Sequence, residues 1–178
     1  RGGYDARSKQ TPYEGGIRTP IMFRWPSKIK PQERDELVSS IDIVPTILAA
    51  SNVKVPENLP GLNLLPHLEK QIPVKRDIIF GESFAHDIAD INKPEASLLF
   101  RWAIKDQWKL LLTYDGEVNR YKSTHPRNEK RPQLFDLSND PQEKINQAKE
   151  NPNKVAELVK AINSWYPLNE RKTIMVFD

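Results

Sequence analysis

Apolar and polar positions divide the chain into stretches of different period. Residues 1–19 hold four of the seven glycines and show no apolar periodicity, which predicts a loop. The run Pro20-Ile21-Met22-Phe23-Arg24-Trp25, closed by Pro26, predicts a short buried strand. Residues 27–36 are charged and contain Pro31, so they read as a surface connection. Ser39 to Asn52 then predicts a helix. Asp42 stands at its cap, Pro45 falls in the first turn where its missing N–H is harmless, and Val44, Ile47 and Leu48 share a face. Asn52 is a natural stop. Residues 53–76, with Pro56, Pro60, Pro66 and Pro73, predict a crossing with one short helix near Leu64–Glu69.

Beyond this crossing the period becomes two. Asp77–Ser83 reads as a strand. Ser97–Lys105 places Leu98, Phe100, Trp102 and Ile104 inward, and Gln107–Tyr114 places Trp108, Leu110 and Leu112 inward. A tight turn at Lys105-Asp106-Gln107 makes these two runs a hairpin. After a polar, basic loop over 115–132, Gln133–Leu137 predicts a further short strand. Asp140-Pro141-Gln142-Glu143 has the form of a capping-box helix start, and Asn151-Pro152 repeats the cap-then-proline device. Val155, Leu158, Val159, Ile162 and Trp165 then mark an amphipathic helix. Strands packed against one terminal helix give an α+β layer.

Composition narrows the function classes. With 178 residues, 38% hydrophobic content and a net charge of +3, the chain is of globular type. Its 27 basic residues are interspersed with 24 acidic ones, so the charge is largely compensated and no nucleic-acid partner is expected. The one basic cluster runs from Asn119 to Arg131 and includes Arg127; it suits a sulfated or uronic-acid glycan, a nucleic acid or a solvated loop. The absence of cysteine excludes disulfides, thiolate chemistry and cysteine-based zinc sites. No window approaches the roughly 18 consecutive apolar residues of a membrane-spanning helix. Arg1-Gly2-Gly3-Tyr4-Asp5 is polar, unlike a signal peptide, and reads as the middle of a loop.

Of the three histidines, His67 lies in the Pro-rich crossing, and His125 in the basic loop. His86 follows a strand end, where loops often carry function. No second imidazole stands at ligand spacing, so no metal site is expected within the chain.

Six segments in order resemble the sulfatase family. They are Lys9-Gln10-Thr11-Pro12-Tyr13-Glu14-Gly15-Gly16-Ile17-Arg18, the strand ending Arg24-Trp25-Pro26, and Asp42-Ile43-Val44-Pro45-Thr46-Ile47-Leu48. Gly61-Leu62-Asn63-Leu64-Leu65-Pro66 follows, with Asn63 where the family usually has serine, then Trp108-Lys109-Leu110. Leu134-Phe135-Asp136-Leu137 with Asp140-Pro141, Glu143 and Asn146 completes the series.

This resemblance implies a sulfuric ester hydrolase of the alkaline-phosphatase-like superfamily, acting outside the cytoplasm on a sulfated small molecule or glycan. It implies that Lys9 is the catalytic lysine contacting the sulfate, and that His86 can touch a sugar. It also implies a calcium ion and a formylglycine nucleophile made within a C/S-x-P-x-R motif, which this sequence does not contain. The expected organisation is residues 1–56 as the end of a large α/β catalytic domain and 57–178 as a small C-terminal α+β subdomain. A missing N-terminal sulfatase domain is the expected partner, and the isolated chain is expected to be inactive. Two rival readings remain: a non-catalytic binding or packing module, and a phosphate-ester hydrolase of the same superfamily. Glu14 with Arg18 is a candidate ion pair, and Gly15-Gly16 a site of sharp turning or close backbone approach.

Overall fold

A computed structural model describes residues 7–9, 11–86, 89–114 and 129–168. In chain order the elements are α1 (Glu14–Ile17), a 3₁₀ turn at Ser40–Asp42, α2 (Ile43–Ala50), α3 (Leu65–Lys70) and β1 (Ile78–Phe84). A second 3₁₀ turn at Pro94–Ser97 leads to β2 (Leu98–Lys105), β3 (Trp108–Thr113), β4 (Gln133–Asp136) and α4 (Pro152–Trp165). Two compact units result, one from Thr19–Ile79 and one joining Arg1–Arg18 to Phe80–Asp178. Residues 56 and 57 both fall inside the first.

In the second unit the described strands form one sheet in the order β1-β2-β3-β4, with β2–β3 and β3–β4 antiparallel. The α+β class holds. Lys105 pairs with Trp108, so the hairpin turn is the two residues Asp106-Gln107. Asp106 has φ 54°, the left-handed value that favours Asp, Asn and Gly in two-residue turns.

Register corrects the expected single inward face. Phe100 sits opposite Thr113, and Ala103 opposite Leu110. Residues paired across strands share a face, so Phe100, Trp102 and Ile104 lie on one side and Leu110 and Leu112 on the other. Both sides are covered, which is why Phe100, Ala103, Ile104, Leu110, Leu111 and Leu112 are all buried. Arg101, Ala103, Lys105, Leu110, Leu112 and Leu134 face α4, whose Val155, Leu158 and Ile162 are buried. Lys105 Nζ meets Glu157 of α4 at 2.7 Å, and Arg101 Nη2 donates to the Ile162 and Tyr166 carbonyls at 3.0 and 2.7 Å. Each fully buried aliphatic side chain in this layer contributes about 1.5–3 kcal/mol. Trp165, placed by periodicity on the buried stripe, is instead 44% exposed and stacks on Phe80 at 5.0 Å. Asn151 makes no side-chain cap bond to α4; its amide donates to the Gln147 carbonyl at 3.1 Å.

No helix begins at Asp140. Glu143 has φ 55°, which a right-handed helix cannot include, and its carboxylate is drawn into the interior. Asp140 accepts the Ile145 N–H at 2.8 Å and closes a turn instead. Asn146 then serves the outer edge of β4. Its Oδ1 accepts the Leu134 N–H at 3.0 Å, its amide donates to the Pro132 carbonyl at 3.1 Å, and the Gln147 N–H reaches the Leu134 carbonyl at 2.8 Å. The Asp-Pro-x-Glu-x-x-Asn pattern is thus a structural cover for a sheet edge.

In the Thr19–Ile79 unit, residues 21–25 form no strand. Their burial alternates, with Met22 87% exposed, but no ladder partner is present among the described residues. Extended backbone without a partner is not a sheet. The helix prediction holds for α2, and Asn52, at φ 57°, ends it as expected. Its buried face differs from the prediction: Pro45 and Thr46 are buried, while Val44 and Ile47 are each 54% exposed. Thr46 sets this rotation, since its hydroxyl donates to the Asp42 carbonyl at 2.6 Å and accepts the N–H of buried Leu64 at 2.9 Å. Asp42 makes no side-chain cap bond to α2. Fully buried, it accepts the Ser39 N–H at 2.8 Å and the Leu62 N–H at 2.7 Å, and grips Arg76 through both oxygens at 2.6 Å each. Its role is structural: it closes the capping box of the 3₁₀ turn that runs into α2, and it is also a hub for Leu62 and Arg76.

Candidate active site

The segment carrying Lys9 is a compact turn held by its own backbone. The Thr11 N–H and hydroxyl both donate to the Ser8 carbonyl, at 3.1 and 2.6 Å. The Gly16 and Ile17 N–H groups donate to the Tyr13 carbonyl at 2.7 and 3.0 Å, and Arg18 closes α1 onto the Glu14 carbonyl at 2.9 Å. The two glycines are required by close approach. A Cβ on Gly15 would lie 2.6 Å from the Arg7 carbonyl oxygen, and one on Gly16 would strike the Ser8 and Thr11 carbonyls. Lys9 itself is exposed.

The face of the sheet opposite α4 receives this turn. Tyr13 meets Phe135 edge-on at 6.1 Å, and its hydroxyl donates to Gln133 Oε1 at 2.9 Å. Burial pushes the Tyr13 phenol above its ordinary value despite that hydrogen bond. Arg7 lies over the Tyr13 ring at 4.7 Å, a cation–π contact.

Beside Tyr13, the expected Glu14–Arg18 pair gives way to a longer connection. Lys109 Nζ is fully buried and sits 3.0 Å from Glu14 Oε1 and 2.8 Å from Glu143 Oε1. The other Glu143 oxygen accepts the Glu14 backbone N–H at 2.6 Å. One ammonium therefore holds two carboxylates in a nearly dry site, with Glu14 only 12% exposed and Glu143 1%. Burial raises the Glu143 pKa, and Lys109 works against that rise.

Neither Lys109 nor Glu143 was assigned to this site by sequence reasoning. A usable signal existed: a lysine inside Trp108-Lys109-Leu110-Leu111-Leu112, in a strand covered on both faces, has to be paired. Glu143 carried no such signal, because its spacing from Asp140 matched a helix cap.

His86 lies just past the end of β1 and is exposed, on a different element from Lys9. Within the basic cluster, residues 119–128 lie outside the described residues; Arg131 pairs with Glu129 at 2.6 Å and lowers its carboxyl pKa. Among the described residues, no group of three or more His, Asp or Glu side chains is arranged to hold a metal ion. Nor does the sequence contain a cysteine. The calcium and formylglycine implied by the resemblance therefore find no ligand set or precursor in the residues described. No described helix is long and apolar enough to cross a membrane.

The family described as N-sulphoglucosamine sulphohydrolase, C-terminal, matches residues 2–165. An N-acetylgalactosamine-6-O-sulfatase of Bacteroides thetaiotaomicron is 32% identical over 88% of this chain and 29% of its own length. Arylsulfatase K of Xenopus laevis is 30% identical over 88% of this chain and 27% of its own. A solved structure from work on the metabolism of multiple glycosaminoglycans by Bacteroides thetaiotaomicron superposes with TM-score 0.58 at 31% identity, covering 80% of this chain and 28% of that one. The matched family model and the fold together define a sulfatase C-terminal region. The chain belongs to the sulfatase family as its C-terminal portion, spanning under a third of the length of these relatives.

Proposed function

We propose that this chain is the C-terminal portion of an enzyme hydrolysing sulfate esters of a carbohydrate, with Lys9 placing its ammonium against the sulfuryl oxygens. The observation that carries this reading is the lysine turn. Lys9 stands exposed at the start of a segment whose other half is tied to the sheet by Tyr13 and Glu14. Cleavage of the sulfur–oxygen bond develops negative charge on the sulfuryl oxygens and on the departing alkoxide. A fixed cation at those oxygens stabilises that charge, and loss of one such group costs about 10²–10³ in rate.

In this reading residues 1–56 close the large α/β domain and 57–178 form the small C-terminal subdomain. His86 contacts the sugar. Calcium and formylglycine belong to residues outside this chain and supply the electrophilic and nucleophilic chemistry. The substrate is a sulfated small molecule or glycan, in keeping with the sulfatase relatives, and the enzyme works in the periplasm or is secreted. The isolated chain, lacking a nucleophile, is inactive.

The test is Lys9→Ala in the full-length protein, assayed in parallel on aryl sulfate and aryl phosphate. Sulfate turnover falls about 10²–10³-fold with the fold intact. Turnover equal to wild type, or a preference for the phosphate ester, overturns the reading.

A further inference from the structure

We propose that Lys109 is a positioning residue for Lys9, acting through Glu14. The inference rests on the reading of Lys9 as the sulfate-contacting lysine, and its support is geometric. Glu14 lies five positions after Lys9, on the same hydrogen-bonded turn. It is held at two points: its carboxylate by Lys109 at 3.0 Å and its backbone N–H by Glu143 at 2.6 Å. Lys109 also holds Glu143 at 2.8 Å, so a single ammonium fastens both attachments.

The turn is packed closely on itself, so a lost anchor is felt along it. A Cβ at Gly15 would already meet the Arg7 carbonyl, so the backbone on either side of Lys9 is stacked against the backbone of α1. Movement of Glu14 is therefore passed on to residues 7–9. Removing the ammonium leaves two buried carboxylates facing each other, and like charges in a dry site separate or take up protons. Glu14 is the partner able to leave, being at the accessible edge of the cluster while Glu143 is enclosed. A displacement of about 1 Å at a catalytic group costs on the order of 10² in rate.

The experiment compares Lys109→Met, Glu14→Ala, Lys9→Ala and Leu158→Ala in the full-length enzyme. Glu14→Ala keeps the Lys109–Glu143 pair, so it reports even where Lys109→Met fails to fold. For both cluster variants kcat falls about 10²-fold while KM stays within about threefold. Amide exchange of Gly16, Ile17 and Arg18 speeds up at least tenfold while the amides of α4 keep their protection. Leu158→Ala, on the other face of the sheet, lowers stability without that kcat loss. Uniformly faster exchange, or kcat unchanged in Glu14→Ala while Lys9→Ala is inactive, overturns the positioning role and leaves the Lys9 reading standing. A fully active Lys9→Ala overturns both.

Discussion

Arg76 holds both carboxylate oxygens of Asp42 at 2.6 Å, and Asp42 has no exposed surface. The same carboxylate accepts the Ser39 and Leu62 N–H groups, so one side chain ties three segments of the Thr19–Ile79 unit. Asp42→Ala strands a guanidinium that is only 12% exposed, and breaking a buried pair in this way costs about 3–5 kcal/mol. Urea denaturation measures that loss. The same carboxylate sets a pH dependence. Burial opposes its ionisation, but Arg76 and the two N–H groups outweigh burial and hold its pKa below the ordinary 3.8. A lowered folded pKa gives stabilisation that is complete above the unfolded value and lost as pH falls through the folded one. Wild type should therefore lose urea resistance below about pH 4 more steeply than Asp42→Asn, which has no proton to take up there.

Gly16 is pressed against two carbonyl groups of its own turn, those of Ser8 and Thr11. Both neighbours are backbone and cannot rotate away. Gly16→Ala therefore forces the lysine turn open at a cost of about 1–3 kcal/mol, the range for overpacking. Thermal unfolding gives the loss in stability, and faster exchange of the Ile17 amide locates it in the turn.

Leu158 and Glu157 are neighbours on α4 with opposite expectations. Leu158 is fully buried against the sheet, so Leu158→Ala removes apolar contact and leaves a cavity, costing about 2–5 kcal/mol. Glu157, 40% exposed, bridges Lys105 and Lys154 at 2.7 and 2.6 Å, and hydrogen bonds from both lysines bring its pKa to about 2. Water screens those pairs, so Glu157→Gln costs less than about 1 kcal/mol and the effect shrinks further in high salt. Paired denaturation curves at low and high ionic strength separate the two behaviours.

Much of the sheet subunit could be read directly from the chain. Strand alternation located β1, β2, β3 and β4 to within a residue or two, and the i, i+3, i+7 spacing of Val155, Leu158 and Ile162 marked the buried stripe of α4. These are local signals, carried by neighbours along one element. The errors arose where a local signal met a distant partner. Asp140 to Glu143 had the spacing of a helix cap, yet Glu143 is left-handed and its carboxylate is paired with the distant Lys109. Residues 20–25 had the composition of a strand but have no described partner to pair with. The apolar spacing of α2 pointed to Val44 and Ile47, whereas the bonds of Thr46 to Asp42 and Leu64 rotate Pro45 and Thr46 inward.

The family, the order of the four sheet strands and α4, and the glycine-bearing lysine segment are legible along the chain, because each is written in residues close together. How that segment is anchored depends on contacts between distant residues. Glu14 and Lys109 are 95 residues apart, and Glu143 is 129 from Glu14. No periodicity links such positions. They meet because the hairpin register turns Lys109 to the face opposite α4, where a buried ammonium needs carboxylates and these two are within reach.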